Sequence, residues 1–179
     1  GVCAALLGLV IGSFLNVVIL RLPVMLERDW RRQAREILEP GAATGPAQPP
    51  FNLATPRSTC PACQTQIRAW HNIPVLGWLW LRGRCAACGT RISLRYPAVE
   101  ALTGLVSVLV VLRFGPSLEA AGALLLAWSL IALAFIDIDR QILPDIITLP
   151  LLWAGLLFVL LGAGGPGYVA ITDLRSGVI

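Results

Sequence analysis

The sequence predicts an all-α polytopic membrane protein with a small cytoplasmic loop domain of zinc-ribbon type, on three observations. Residues 1–20, 120–136 and 146–163 carry no charge. Two Cys-x-x-Cys pairs, Cys60/Cys63 and Cys85/Cys88, fall inside the one long hydrophilic block. The chain of 179 residues is 56% hydrophobic and only 13% charged, too apolar for a soluble domain of this size.

Taken in order, residues 1–20 are long enough for one span, which needs about 20 apolar residues, and the run ends at Arg21. It lacks the basic n-region and small-residue cleavage site of a signal peptide. Within it, Gly12-Ser13-Phe14-Leu15-Asn16 places small residues where a neighbouring helix can approach, beside an amide that can hydrogen-bond across an interface. Helix packing and substrate contact both fit that string. Cys3 reads as a small packing residue.

Residues 21–96 hold eleven of the fourteen basic residues, all arginine, against four acids, a net charge of +7. Arginine excess marks the cytoplasmic side. Spans at about 97–113 and 118–136 then return the chain to the cytoplasm at Asp137. The expected division is a first transmembrane helix at 1–22, a cytoplasmic loop domain at 23–96, three transmembrane helices at 97–163, and an external loop at 164–179 leading to a further span. Both ends look cut, so the chain reads as a fragment of about four spans plus the start of a fifth.

Inside the block, Leu26, Trp30, Ala34, Ile37 and Leu38 recur at helical spacing between arginines. A short amphipathic helix on an anionic membrane face has this pattern, and so has a solvated linker helix. Five prolines over 40–56 argue against regular structure there. No internal repeat is apparent.

The cysteines have the spacing CxxC, twenty-one residues, CxxC. Two such knuckles bring four thiolates to the corners of a tetrahedron, the geometry of closed structural zinc sites. Two disulfides or a redox dithiol are the rivals. A basic, cytoplasmic-reading block argues against disulfides, and no βαβ pattern surrounds either pair. His71, the only histidine, reads as a surface residue rather than a fifth ligand. Trp70, Trp78 and Trp80 either pack the ribbon or anchor it at the interface. Nucleic acid is discounted as a partner because the block is tethered between spans.

Asp137, Asp139 and Asp145 lie within nine residues, between two apolar runs. Ionisable groups at the edge of hydrocarbon are costly and usually functional. Asp137 adjoins the apolar run and is expected inside the bundle at its mouth. Asp139 points to another helix face, and Asp145 follows Pro144, which is expected to put the cluster on a turn. The plainer reading is solvated loop charges, with Arg140 pairing Asp137.

Several strings together resemble one family. They are Gly12-Ser13-Phe14-Leu15-Asn16-Val17-Val18 with Arg21-Leu22-Pro23, and Phe51-Asn52-Leu53 before Pro56-Arg57-Ser58. The paired knuckles, Asn72-Ile73-Pro74 and Trp78-Leu79-Trp80-Leu81-Arg82-Gly83-Arg84-Cys85 follow. Arg95-Tyr96-Pro97-Ala98-Val99-Glu100 and Ile136-Asp137 with Leu143-Pro144-Asp145 complete the set. In this order they resemble the bacterial type 4 prepilin peptidases, GxGD-type intramembrane aspartyl proteases.

The resemblance implies an inner-membrane enzyme that trims the leaders of type IV prepilins and type II secretion pseudopilins. Many members also methylate the new N-terminus with S-adenosylmethionine. The family's first catalytic aspartate maps onto Asp137, seven residues before Pro144. Its second sits in a Gly-x-Gly-Asp motif. Here Gly165-Pro166-Gly167-Tyr168 has no aspartate in that place, and Asp173 lies in an outside-reading loop, so the second is expected beyond Ile179. Two close, partly desolvated carboxyls split their pKa values, giving one base and one acid for peptide hydrolysis. Two rivals use the same residues: a non-catalytic membrane-anchored zinc-ribbon scaffold, and a transporter with Asp137 on an ion path.

Overall fold

Helix α1 (Val2–Leu38) crosses the chain's first charge boundary without interruption. The computed structural model describes residues 1–39 and 50–162; the expected external loop at 164–179 and much of the proline-rich stretch lie outside them. After α1 come a 3-10 turn (Ala69–Asn72), α2 (Leu76–Trp80), α3 (Arg95–Phe114), α4 (Leu118–Arg140) and α5 (Asp145–Gly162). Among the described residues there is no strand, only the isolated bridges Thr59–Gln66 and Arg84–Arg91.

By length and composition α1, α3 and α4 can cross a membrane, and Asp145–Leu160 is a shorter apolar helix. The fourth expected span corresponds to α5, of which the described residues cover Asp145–Gly162. The expected separate amphipathic helix is absent as such, because residues 26–38 continue α1. Pro23 lies inside that helix, where its missing N–H leaves unpaired only the carbonyl four residues back. The Met, Leu, Glu, Arg, Gln and Ala that follow are strong helix formers, so the helix resumes its ladder. Its last turns are exposed on all sides, with ion pairs Arg31–Glu27 and Arg32–Asp29 along them.

Close packing of α1 on α3 follows from glycine. A Cβ on Gly8 would stand 2.8 Å from the Gly104 Cα, and one on Gly12 2.7 Å from the Glu100 Cα. Bare backbones at these crossings let the two helices touch, as small-residue interfaces do in lipid. Asn16 lies on the same face and donates to the Tyr96 carbonyl at 3.0 Å. The string Gly12 to Asn16 thus serves helix packing. Cys3, expected to pack, is instead exposed.

The core joins Leu15, Val18, Ile19 and Leu22 of α1, Val99 of α3, and Ala132 and Ile136 of α4. Buried hydroxyls are satisfied in a chain: Trp128 Nε1 donates to Ser107 Oγ (3.0 Å), and Ser107 to the Thr103 carbonyl (2.7 Å). Between α3 and α4 lie only three residues, Gly115-Pro116-Ser117, and the Ser117 side chain caps α4 by accepting from Ala120 N–H at 3.1 Å. The core lies where α4 ends and α3 begins, and the cysteine module joins the bundle there.

Candidate metal centre and acidic helix end

Each cysteine pair sits in a tight turn with one residue of left-handed backbone after its second cysteine, Gln64 (φ 57°) and Gly89 (φ 71°). Cys60 N–H bonds the Thr65 carbonyl, and Gln64 N–H the Cys60 carbonyl. Cys85 N–H bonds the Thr90 carbonyl in the same way, and Gly89 N–H the Cys85 carbonyl. The two turns are thus copies of one Cys-x-x-Cys-x-Thr unit, each closed by one bridge. A repeat is therefore present after all; at six residues it is too short to stand out unless backbone and cysteines are aligned together.

All four sulfurs lie within 4.8 Å of one another, and Cys60 Sγ is 3.8 Å from Cys88 Sγ. A tetrahedron with metal–sulfur bonds of about 2.3 Å has edges of about 3.8 Å. The cluster therefore has the size of a four-thiolate metal site and can hold a metal ion, with no position left for substrate. The sulfurs are unbonded thiols. Thr90 Oγ1 lies 3.2 Å from Cys88 Sγ, and hydrogen bonds from the Thr90 side chain and backbone push that thiol down to about 6. Thr65 does the same for Cys63, whose pKa is lowered. Thiols that ionise readily are what a metal site needs. His71 stays outside the cluster, its ring edge-on to Trp70 at 6.2 Å.

Trp78 packs the second knuckle. Its ring lies where a Cβ on Gly83 (φ 66°) would be, and its Nε1 donates to the Ile92 carbonyl at 3.2 Å. Trp70 and Trp80 are exposed. The module is fastened to the bundle at two places. Arg21 of α1 donates to the Asn52 and Pro56 carbonyls at 2.9 and 2.6 Å, while Arg21 and Arg28 lie over the Phe51 ring. Buried Glu100 of α3 accepts from Val75 N–H at 2.7 Å, just before α2. The sequence offered no sign of either link.

At the other side of this junction the three acids separate. Asp137 and Asp139 lie in the last turn of α4, which ends at Gln141 in left-handed conformation (φ 54°) with its N–H on the Asp137 carbonyl at 2.8 Å. Only Asp145 follows the break, as the first residue of α5, where a carboxylate meets the positive end of the helix dipole. The expected turn thus begins four residues after Asp137. Asp137 is exposed rather than inside the bundle: Ile136 takes the fully buried position and Asp137 lies 100° further round the helix. Asp139 pairs with Arg95 at 2.7 Å, and Arg95 also reaches the Phe135 carbonyl (3.3 Å) and lies over the Phe135 ring. Among the described residues Asp137 has no ion pair, with Arg140 or any other group.

Residues 6–114 match the family model of the bacterial peptidase A24 N-terminal domain, and residues 124–179 that of the type IV leader peptidase family. The chain belongs to the bacterial A24 peptidase family. A prepilin leader peptidase/N-methyltransferase of Aeromonas hydrophila is 53% identical over 174 residues, 97% of this chain and 58% of that protein. One of Stutzerimonas stutzeri is 57% identical over 155 residues, 87% of this chain and 53% of its own. One of Neisseria gonorrhoeae is 50% identical over 174 residues, covering 97% and 60%. The chain thus spans a little over half the length of these A24 relatives. No solved structure matches it. The A24 models divide near the α3–α4 turn, so the cysteine module falls in the first and all three acids in the second.

Proposed function

We propose that this chain supplies the zinc-bearing loop and the first catalytic aspartate of an aspartyl endopeptidase of the bacterial inner membrane. Its substrates are type IV prepilins and type II secretion pseudopilins, whose leaders it removes. The observation that carries the reading lies at the end of α4, within the stretch matched by the leader-peptidase model. Asp139 is tied to Arg95 and Asp145 stands past the break in the first turn of α5, which leaves Asp137, exposed and without an ion pair among the described residues, as the free acid of the α4 end. Its partner aspartate is assigned to the part of the relatives' length that this chain does not span, beyond Ile179.

A prepilin stem lies in the bilayer and its leader in the cytoplasm, so its scissile bond meets the enzyme at the inner membrane face. The arginine excess of residues 21–96 favours placing that block, and with it the α4 end, on the same side. Asp137 would take a proton from water while the second carboxyl, still protonated, polarises the peptide carbonyl. Zinc fits the four cysteines by size and donor type and would stabilise the loop without entering the reaction.

Methylation of the new N-terminus with S-adenosylmethionine belongs to the same proposal for the whole protein. The groove beside Trp78, lined by Arg82, Arg84 and Arg91, has no carboxylate to meet that cofactor's positive charge. Those residues do not fit it.

In the full-length protein Asp137→Asn should cut leader cleavage well beyond tenfold, with expression and metal content unchanged. A loss under about tenfold, or about 1.4 kcal/mol of barrier, would assign the chemistry to another carboxylate. Because the two aspartates act as a unit, losing both should cost little more than losing one.

A further inference from the structure

We propose that α2 and the second knuckle dock on the bilayer surface, with Leu76, Leu79 and Trp80 in the interface and Arg82, Arg84 and Arg91 on anionic lipid headgroups. Depth comes first. The 20 residues of α3 span about 30 Å, the thickness of the hydrocarbon core. Glu100 lies five residues, about 7–8 Å, from its start. The Glu100 carboxylate holds Val75 N–H at 2.7 Å, so the residue that opens α2 is pinned within about a turn and a half of the α3 end that enters the bilayer.

Leu76, Leu79 and Trp80 follow at i, i+3 and i+4, on one helix face, and are 62%, 55% and 76% exposed. The opposite face is packed, with Gly77 against the His71 carbonyl and Trp78 on Gly83. Exposure of that order for two leucines and a tryptophan in a row marks a surface that something apolar covers.

Charge selects the covering phase. Residues 51–99 contain six arginines and no acid, and three of the arginines line one groove of about 470 Å³ beside Trp78. A four-thiolate zinc site would remove only two of those charges. A basic prepilin leader is repelled by such a surface, whereas anionic lipid draws about 1 kcal/mol, or roughly fivefold in partitioning, per arginine. Tryptophan beside arginine at the headgroup level is the usual interfacial pairing.

The test places a spin-labelled keto amino acid, which spares the cysteines, at position 80 or at exposed Gln64 of the first knuckle in full-length protein. Nanodiscs of phosphatidylcholine, alone or with about a third phosphatidylglycerol, supply the surface. With the anionic lipid, the label at 80 should become accessible to oxygen and shielded from a nickel chelate, and the label at 64 should not. High salt should reverse the shift, and so should Arg82→Gln, Arg84→Gln and Arg91→Gln together, with metal content as the folding control. Equal shielding in detergent or in phosphatidylcholine alone would mean that the rest of the chain covers α2, and overturns the proposal. Shielding that appears only on adding a prepilin overturns it in favour of the substrate, and no shielding overturns it outright.

Discussion

Arg95 makes three contacts with a single turn of α4: the Asp139 carboxylate, the Phe135 carbonyl and the Phe135 ring. Arg95 is 32% and Asp139 29% exposed, which leaves the pair partly screened, and its net stabilisation is about 1 kcal/mol or less. Its larger effect is to fix the turn that carries Asp137. Asp139→Asn should therefore lower cleavage less than Asp137→Asn, and Arg95→Met should reproduce the Asp139→Asn effect without adding to it in the double variant. A full additive loss would refute the pairing. At the metal site, Thr90 holds Cys88 down at about 6 through its hydroxyl and backbone. Thr90→Val raises that pKa toward the ordinary thiol value, so protons compete for the sulfur at higher pH. Metal release on acidification should shift upward in pH in this variant, read by a zinc-sensitive dye from protein that starts with about one zinc per chain. Cys60→Ser should lose the metal and leave residues 50–94 protease-sensitive. The four cysteines were legible because their spacing states the chemistry. Arg95 and Asp139 are 44 residues apart, and nothing local in either segment points to the other.

At the level of elements, the apolar runs at 97–113 and 118–136 fall within α3 and α4, and the run at 1–20 largely within α1, since hydrophobic length is what a bilayer demands. The sequence did not show that α1 runs on through Pro23, because a proline and a rise in charge look alike whether the helix stops or continues. Glycine spacing in α1 was ambiguous for a related reason: it shows that something comes close, not what. Against α3 it is decided, and Gly12→Ala or Gly8→Ala should destabilise the pair. Overpacking of this kind costs about 1–3 kcal/mol, visible as a lower melting temperature in detergent, whereas Gly155→Ala, in open space, should change little. If Gly12→Ala melts with the parent protein, the α1–α3 contact is looser than described.

For the molecule as a whole, the charge pattern and the bundle agree on one arrangement: the cysteine module and the acid-bearing end of α4 share a junction, and the α3–α4 turn lies at the far end. Reporter fusions at Gln48 and Gly165 should then report opposite compartments. A shared compartment would undo the placement of Asp137 at the inner face. Which end of the bundle gathers these parts follows from Arg21, Glu100 and Arg95, whose links join segments distant in sequence. The sequence could therefore supply the parts and their order, while their convergence came from the packed core.

The three-residue turn between α3 and α4 also bears on how the protein is made. With only Gly115-Pro116-Ser117 between them, α3 and α4 form a tight helical hairpin. A hairpin this tight favours entry of the two helices together, with Arg113 and Glu119 flanking the tip that crosses. In the orientation proposed above, Asp137, Asp139 and Arg140 would then stay on the side of synthesis, beside the module whose cysteines have already been released from the ribosome.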